Sequence, residues 1–301
     1  MCCTRSLGPA IFVGRAAETN IKTLTKQIVK GLFRNYFLII LNLFFWSQKM
    51  NSIFKNRILL GITQHEASRP KRRPPSLDPS EAIDCLFKLV RTGMQWRELQ
   101  PTSASYTTVF KHTRRWIQSG IVHDAYASLL QEHVRKHPSK HYIVDSTYVK
   151  NAFGRVGLGR NPVDRGRKAL KISALTDQDG IVHNLRCDPA NTSDFRLFTP
   201  MLSSMLISLR RIEVFADRGY DSRRNRDEAY QRGFLPRIMR RRCRSSRRQN
   251  GKRVRIEHTF GWIDKYRRLL FQYEQTEQIH VSYTLLALGH LLCARFGALP
   301  T

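Results

Sequence analysis

Acidic residues are scarce in this chain of 301 residues. Aspartate and glutamate total 23 against 52 lysines and arginines, which gives a formal net charge of +29 and a pI near 10.7. A chain with this imbalance repels itself unless a polyanion neutralises it, and nucleic acid is the commonest polyanion. We therefore expect a nucleic-acid partner, with a membrane surface as the weaker alternative.

Cysteines are few and follow neither a metal-binding nor a disulfide pattern. The six cysteines include no Cys-x-x-Cys pair, and no histidine cluster has the spacing of zinc ligands. Small secreted scaffolds carry denser cysteine, so we interpret these residues as reduced thiols. We expect a cytoplasmic, nucleoid-associated protein if the host is bacterial and a nuclear protein if the host is eukaryotic.

Long apolar runs are also missing. Residues 36–46 form a run of eleven, whereas a membrane-spanning helix needs about 20 residues. The run lies late in the chain for a signal peptide, and no cleavage site of small residues follows it. We expect no membrane partner and interpret residues 1–67 as an atypical N-terminal extension that need not belong to the functional domain. Translation from Met50 would account for most of this extension.

Two segments precede the part of the chain with strand patterns. Residues 68–76 are basic and broken by proline, which predicts a linker. Residues 77–138 have helical periodicity. Start and stop signals predict a helix that begins at 78–79 and stops at 91–93, a second from 107 through 116 that ends at 119–120, and a third at 122–134. Three short helices with basic residues fit a small all-α, helix-turn-helix-like DNA-binding domain. Small helical domains with other functions are common, so this assignment is a hypothesis.

Residues 139–297 alternate between strand and helix patterns. Strands are predicted at 142–150, 169–176 and 181–186, and an Asp-Gly turn joins the last two. Then come a helix, a strand, a helix, a strand and two helices, listed here by residue: 191–206, 212–217, 222–232, 234–238, the segment around Glu257, and 281–296. This order predicts an α/β domain with an RNase H-like mixed sheet flanked by helices over residues 139–297.

Three carboxylates have unusual surroundings. Asp145 lies in the middle of an apolar strand, Asp217 ends another apolar run, and Glu257 lies in a segment of helical periodicity. A buried carboxylate needs a metal, a cation or several hydrogen-bond donors. Two Mg²⁺ ions roughly 4 Å apart, held by such oxygens, support phosphodiester cleavage. The three acids together predict a two-metal site, although each alone is more often a cap, a turn residue or half of a surface ion pair.

Four motifs in this part of the chain carry a family resemblance. They are DSTYVK at 145–150, NPVDRGRK at 161–168, ADRGYD at 216–221 and RIEHTFGWIDKYRRL at 255–269. This set resembles the DDE transposases of insertion sequences, in particular family five of the bacterial elements. The resemblance covers about residues 75–296, and residues 89–99 are similar to the amino-terminal helical region of those transposases.

The resemblance implies an RNase H-like catalytic core that cuts and joins DNA at inverted-repeat element ends. It assigns the catalytic and metal-binding roles to Asp145, Asp217 and Glu257, with two Mg²⁺ ions that Mn²⁺ can replace. The implied partners are double-stranded DNA, both element ends and target, and further copies of the chain assembled on DNA. No small-molecule substrate is implied. Asp264 stands near the place where related transposases often keep a basic residue, and Lys265 is next to it.

Basic residues near these motifs are candidate phosphate contacts. Ten of the nineteen residues in 237–255 are lysine or arginine and none is acidic, which is typical either of a solvated loop or of a DNA-binding segment. The candidates are Arg160, Arg165, Arg167, Lys168, Arg240, Arg241, Arg242, Arg247, Arg248, Arg253, Lys265, Arg267 and Arg268.

Two rival functions remain open from the sequence. A plain metal-dependent nuclease, including a Harbinger-like relative, would cleave DNA without joining it. A decayed or domesticated copy would only bind DNA and need not take up two divalent ions.

Overall fold

The computed structural model describes residues 50–68, 77–203, 205, 211–240 and 247–296, without the side chains of residues 247–250 and 296. All of these residues belong to one compact unit, Lys49–Thr301. The predicted extension up to residue 49, with its apolar run, lies outside the described residues, as does the predicted linker from residue 69 to 76. In the described part of the chain, no helix is long and apolar enough to span a bilayer.

Four helices form the first half of the described chain. They are α1 (Ser52–Ala67), α2 (Pro79–Thr92), α3 (Tyr106–Gln118) and α4 (Ile121–Lys136). The last three confirm the helices predicted in residues 77–138. Helix α2 shows why: Asp78 accepts hydrogen bonds from the backbone N–H groups of Ser80 and Glu81, and Gly93 ends the helix at φ 73°.

Helix α1 was not predicted. Its buried side chains are Phe54, Ile58 and Ile62, spaced four residues apart, so they line one helix face. The helix lies inside the segment that the sequence analysis set aside as an extension, and its apolar face packs with the rest of the helical layer. The backbone N–H of Asn51 also donates a hydrogen bond to Nδ1 of His290, near the other end of the chain.

A mixed seven-stranded sheet follows in the described residues. Its strands are β1 (His141–Asn151), β2 (Gly159–Arg160), β3 (Lys168–Asp177), β4 (Val182–Pro189), β5 (Ile212–Ala216), β6 (Phe234–Ile238) and β7 (Phe271–Gln272). The order is β2-β3-β1-β5-β6, with β4 paired to β3 and β7 paired to the end of β1. Strand β3 is antiparallel to β1 and β4, whereas β5 is parallel to β1 and β6. The RNase H-like mixed sheet is therefore confirmed, and the two-residue strands β2 and β7 were missed.

Helices cover the sheet. They are α5 (Asp194–Ser203), α6 (Arg223–Gln231), α7 (Arg247–Ile263) and α8 (Glu277–Phe296). On β1, Tyr142 and Val144 pack into one core cluster with Leu197 and Phe198 of α5. Because successive side chains of a strand alternate, Asp145 faces the opposite side, where α7 packs on β1 and β5.

Helix α8 connects the helical layer with the sheet. It contacts all four helices α1–α4 and also strand β4. The described cysteines Cys85, Cys187 and Cys293 form no disulfide with one another.

Two helical glycines provide a paired test of this packing. A methyl group at Gly289 in α8 would overlap the ring of Phe54, whereas nothing lies within 4 Å of the same position at Gly261 in α7. We expect Gly289→Ala to lower the free energy of unfolding by about 1–3 kcal/mol through overpacking. Gly261→Ala is expected to raise it by about 0.5–1 kcal/mol through helix propensity. Urea denaturation measures both changes, and equal shifts would contradict the assigned packing of α1.

Candidate active site

The register of two central strands sets two acids side by side. Val144 of β1 pairs with Ala216 of β5 in parallel. The residue that follows each of these is an aspartate: Asp145 follows Val144, and Asp217 follows Ala216. Parallel strands carry successive positions forward together, so the two carboxylates lie next to each other where β5 ends.

A single guanidinium bridges these carboxylates. Nη2 of Arg253, delivered by α7, lies 2.8 Å from Oδ2 of Asp145 and 3.7 Å from Oδ2 of Asp217. Asp145 and Arg253 are mostly buried and Asp217 is more open. Each aspartate also receives a backbone hydrogen bond, from Ser146 N to Asp145 Oδ1 and from Gly219 N to Asp217 Oδ1. Both acids therefore converge on one cation.

Asp145 carries an uncompensated electrostatic cost. Burial is the largest influence and raises the pKa of Asp145 above its ordinary value, and the charge of Asp217 adds to the rise. The hydrogen bond and charge of Arg253 lower the pKa without cancelling the rise. Burial also lowers the pKa of Arg253, but its contacts with Asp145 and the charges of Asp217 and Glu257 outweigh this and raise it.

Glu257 lies one helical turn beyond Arg253 on α7 and is exposed. It acts on the guanidinium electrostatically from there. Among the residues that the structure describes, no three acidic, histidine or cysteine side chains come close enough to hold a metal ion between them. The structure thus brings Asp145 and Asp217 together and places Glu257 near their shared partner, but it does not gather the predicted triad.

The donor chemistry of the aspartate pair fits a divalent cation. Carboxylate oxygens are the hard ligands that Mg²⁺ and similar ions prefer. The position between the two carboxylates already attracts positive charge, because the guanidinium of Arg253 points there. Asp145 and Asp217 would be the first ligands of such an ion, and Glu257 is the third acid of the predicted set.

A second polar network lies on the other face of β1, and the sequence analysis missed it. Lys171 of β3 is only 3% exposed, and its Nζ donates to the backbone oxygen of Thr192 at 2.7 Å and to Oδ1 of Asp194 at 2.8 Å. Ser146 Oγ donates to the same Asp194 oxygen at 3.0 Å. The available signal was a lysine in the middle of an otherwise apolar strand, which needs a buried anion as partner.

Asp194 lies next to the backbone segments that carry both aspartates, strand β1 for Asp145 and the turn after β5 for Asp217. Ser146, which it accepts from, directly follows Asp145. Gly219, which donates its N–H to Asp217, leaves no room for a side chain, because a Cβ there would lie 2.7 Å from Oδ2 of Asp194. Asp194 therefore packs behind both members of the pair and fixes their backbone positions.

The predicted phosphate contacts divide into three groups. Seven side chains are exposed: Arg160, Arg165, Arg167, Lys168, Arg240, Lys265 and Arg267. Two others are engaged inside the protein: Arg253 in the site, and Arg268, which pairs with Glu274 at 2.6 Å and donates to the backbone oxygen of Met94. We do not expect Arg268 to touch DNA. Arg241 and Arg242, and the side chains of Arg247 and Arg248, lie outside the described residues.

Fold and site together define the class of protein. A mixed sheet in this strand order, with one aspartate on β1 and another directly after the parallel strand β5, is the RNase H-like arrangement. Comparison with known families narrows the class. A family model described as "Transposase DDE domain" matches residues 136–292, which is more than half of the chain, and one described as "Putative transposase of IS4/5 family" matches residues 58–125. The chain belongs to the DDE transposase family, whose members act on DNA and use a divalent metal.

One sequence relative and two solved structures are similar to parts of this chain. A "Putative transposase for insertion sequence element IS402" from Burkholderia cepacia is 31% identical over 153 residues, covering 48% of this chain and 70% of that protein. The piggyBac transposase in a synaptic complex with hairpin DNA is 14% identical with a TM-score of 0.34, covering 70% of this chain and 54% of that one. The pre-cleavage Mos1 transpososome is 8% identical with a TM-score of 0.24, covering 69% and 84%. This chain spans about half the length of the piggyBac chain.

The raised pKa of Asp145 predicts a pH effect on metal-free protein. A carboxyl group whose pKa is higher in the folded state stabilises the fold below its unfolded value of about 3.9, and the contribution is lost as the pH rises through the raised pKa. We expect the free energy of unfolding, relative to Asp145→Asn, to fall from about pH 4 toward neutrality. Chemical denaturation in a chelator at several pH values tests this. A difference that does not vary with pH would contradict it.

The buried ion pair gives a second prediction. Asp194→Ala leaves the Lys171 ammonium without its anion and is expected to cost about 3 kcal/mol, the low end for a broken buried pair because Asp194 is 33% exposed. The double variant Lys171→Met/Asp194→Ala removes both charges and should lose less than the sum of Lys171→Met and Asp194→Ala measured singly. Thermal and urea denaturation of the four proteins completes the cycle, and simple additivity would mean that the pair is not coupled.

Proposed function

We propose that this transposase cuts DNA at the ends of its element and joins the released 3′-hydroxyl to target DNA. The observation that carries the proposal is the convergence of Asp145 and Asp217 on one cation at the end of β5. Mg²⁺ is the proposed ion, with Mn²⁺ able to substitute. When bound, the ions supply activation of the attacking hydroxyl and stabilisation of charge on the leaving oxygen.

The protein's own residues have separate roles in this proposal. Asp145 and Asp217 hold the ion, and Glu257 completes the metal site from α7. Arg253 balances the charge of the aspartate pair and lies where it can also hold a phosphate oxygen of the cleaved strand. Asp194 and Lys171 are positioning residues, because Asp194 accepts from the hydroxyl of Ser146, next to Asp145, and Lys171 holds Asp194 in place.

The turn between β2 and β3 supports DNA binding. Asn161 is buried and ties the turn together, accepting from Val163 N at its side chain and from Gly166 N at its backbone oxygen. Arg165 lies at the tip of the turn with φ 48°, a backbone conformation that residues other than glycine rarely adopt. A strained, exposed arginine flanked by Arg160, Arg167 and Lys168 fits a phosphate-binding role.

Other parts of the proposal concern partners and domains. Double-stranded element ends and target DNA are the proposed substrates, and self-association on DNA would bring two ends together. Arg240, Lys265 and Arg267 add to the proposed DNA surface. In the helical region 77–138, Lys111 remains exposed for a DNA contact, whereas Arg115 pairs with Glu66 of α1.

Strand transfer with element-end duplexes tests the function. Asp145→Asn, Asp217→Asn and Glu257→Gln should each lower cleavage and joining by more than about 100-fold, since even residues that only support metal ligands typically cost 10- to 100-fold. Glu213→Gln is the matched control, because Glu213 is an acid on β5 that pairs instead with Arg237 and Lys252. It should keep full activity.

Product analysis separates the rival functions. Cleaved but unjoined ends would identify a nuclease, and binding without either product would identify a DNA-binding relic. Full activity in Asp145→Asn would show that the site is wrongly assigned.

A further inference from the structure

Three aromatic rings form an exposed surface at the end of β1. We call Phe153, Phe271 and Tyr273 the aromatic patch. Phe153 is 70% exposed and Phe271 is 36% exposed. The ring of Tyr273 lies between the other two, with centroids 6.2 Å from Phe153 and 5.9 Å from Phe271. Single exposed apolar side chains need no explanation, but rings in mutual contact at the surface indicate an interaction site.

The patch is held rigidly by the backbone beneath it. The N–H groups of Ala152 and Phe153 both donate to the backbone oxygen of Gln272, at 3.1 and 3.0 Å. Gln272 is fully buried, and its side-chain amide donates to the backbone oxygens of Glu274 and Thr276. The backbone that carries the rings is therefore ordered before a partner binds, which lowers the entropic cost of binding.

Gly154 makes this close approach possible. A Cβ at Gly154 would lie 2.6 Å from Cγ of Gln272 and 2.8 Å from Oδ1 of Asn151. The loop after β1 and the segment after β7 are further joined by the N–H groups of Arg155 and Val156, which donate to the backbone oxygen of Gln275. The aromatic patch is thus held in place by backbone hydrogen bonds. A connection between β1 and the next strand would not by itself need this order.

Positive charge surrounds the aromatic patch. Lys150, Arg155 and Arg267 are exposed near it in the chain. Arg268 lies with its guanidinium carbon 4.9 Å from the ring centroid of Tyr273, and its charge is balanced by Glu274. Aromatic faces with surrounding cations are the features that bind single-stranded nucleic acid, because every base offers a face for stacking. A second copy of this chain, with its own charge of +29, is a less suitable occupant.

We propose that the aromatic patch stacks unpaired bases of the DNA on which the transposase acts. A duplex buries the faces of its bases, so the rings would find partners only where a strand is frayed, flipped or overhanging. Asn151 lies six positions beyond Asp145 on β1, which places the patch roughly 20 Å from Asp145 at about 3.3 Å per residue. The inference rests on the proposed function insofar as the substrate is DNA.

Binding to two labelled DNAs tests the proposal. One is a blunt duplex, and the other is the same duplex with a single-stranded extension containing the fluorescent base 2-aminopurine. Wild-type protein should bind the extended DNA more tightly and quench the probe through stacking. Phe153→Ala should weaken binding to the extended DNA about tenfold, equivalent to about 1.4 kcal/mol and within the range for one stacked base, with blunt-duplex binding unchanged.

Three control variants sharpen the result. Phe153→Tyr keeps a stacking ring and should retain both affinity and quenching. Tyr230→Ala removes a ring that is 57% exposed on α6, and it should change the affinity for neither DNA. Asp145→Asn should keep the stacking signal, so that failure of the patch is distinguished from failure of the catalytic assignment.

Several outcomes would overturn the proposal. One is equal affinity of wild-type protein for both DNAs, and another is an equal loss on both DNAs in Phe153→Ala. A third is a shift of Phe153→Ala to a smaller oligomer in sedimentation, which would make the patch a contact between copies of the chain.

Discussion

The structure depends on two carboxylates that cannot be neighbours without a cation. Parallel pairing of β1 with β5 forces Asp145 and Asp217 together, and burial makes ionised Asp145 costly. Helix α7 supplies the guanidinium of Arg253, which lowers that cost without removing it. The remaining pKa rise leaves the pair poised for a stronger cation, and the network of Lys171 and Asp194 on the opposite face keeps the backbone from relaxing away.

Local signals predicted most of the fold. The cap at Asp78, the stop at Gly93 and the Asp-Gly turn between β3 and β4 are short-range features, and the elements they delimit appear as expected. The apolar spacing of helix α1 is visible in the sequence. The helix was not predicted because it adjoins residues 1–49, whose composition differs from the rest of the chain, and both were assigned to the N-terminal extension. Its burial is set by distant partners such as Gly289, which no window of sequence contains.

In the site, too, local features could be predicted from the sequence and long-range contacts could not. A carboxylate within an apolar strand indicated Asp145 and Asp217, since burial of charge needs a reason. The sequence could not show that Arg253 stands between them, or that Arg268 pairs with Glu274 instead of facing solvent. Ion pairs of this kind depend on which faces of helix and strand meet, and the aromatic patch likewise joins residues about 120 positions apart.

Helix α8 has a consequence for how such transposases can evolve. The stretch matching the IS4/5 family and the stretch matching the DDE domain are separate in sequence, yet α8, most of which lies in the second, packs on all four helices that precede the sheet in the described residues. In a chimera whose helices α1–α4 come from a relative, those helices would not pack as well on α8 of this chain. The two regions are therefore expected to be inherited together. Recombination between elements should be tolerated only where α8 and helices α1–α4 come from the same parent.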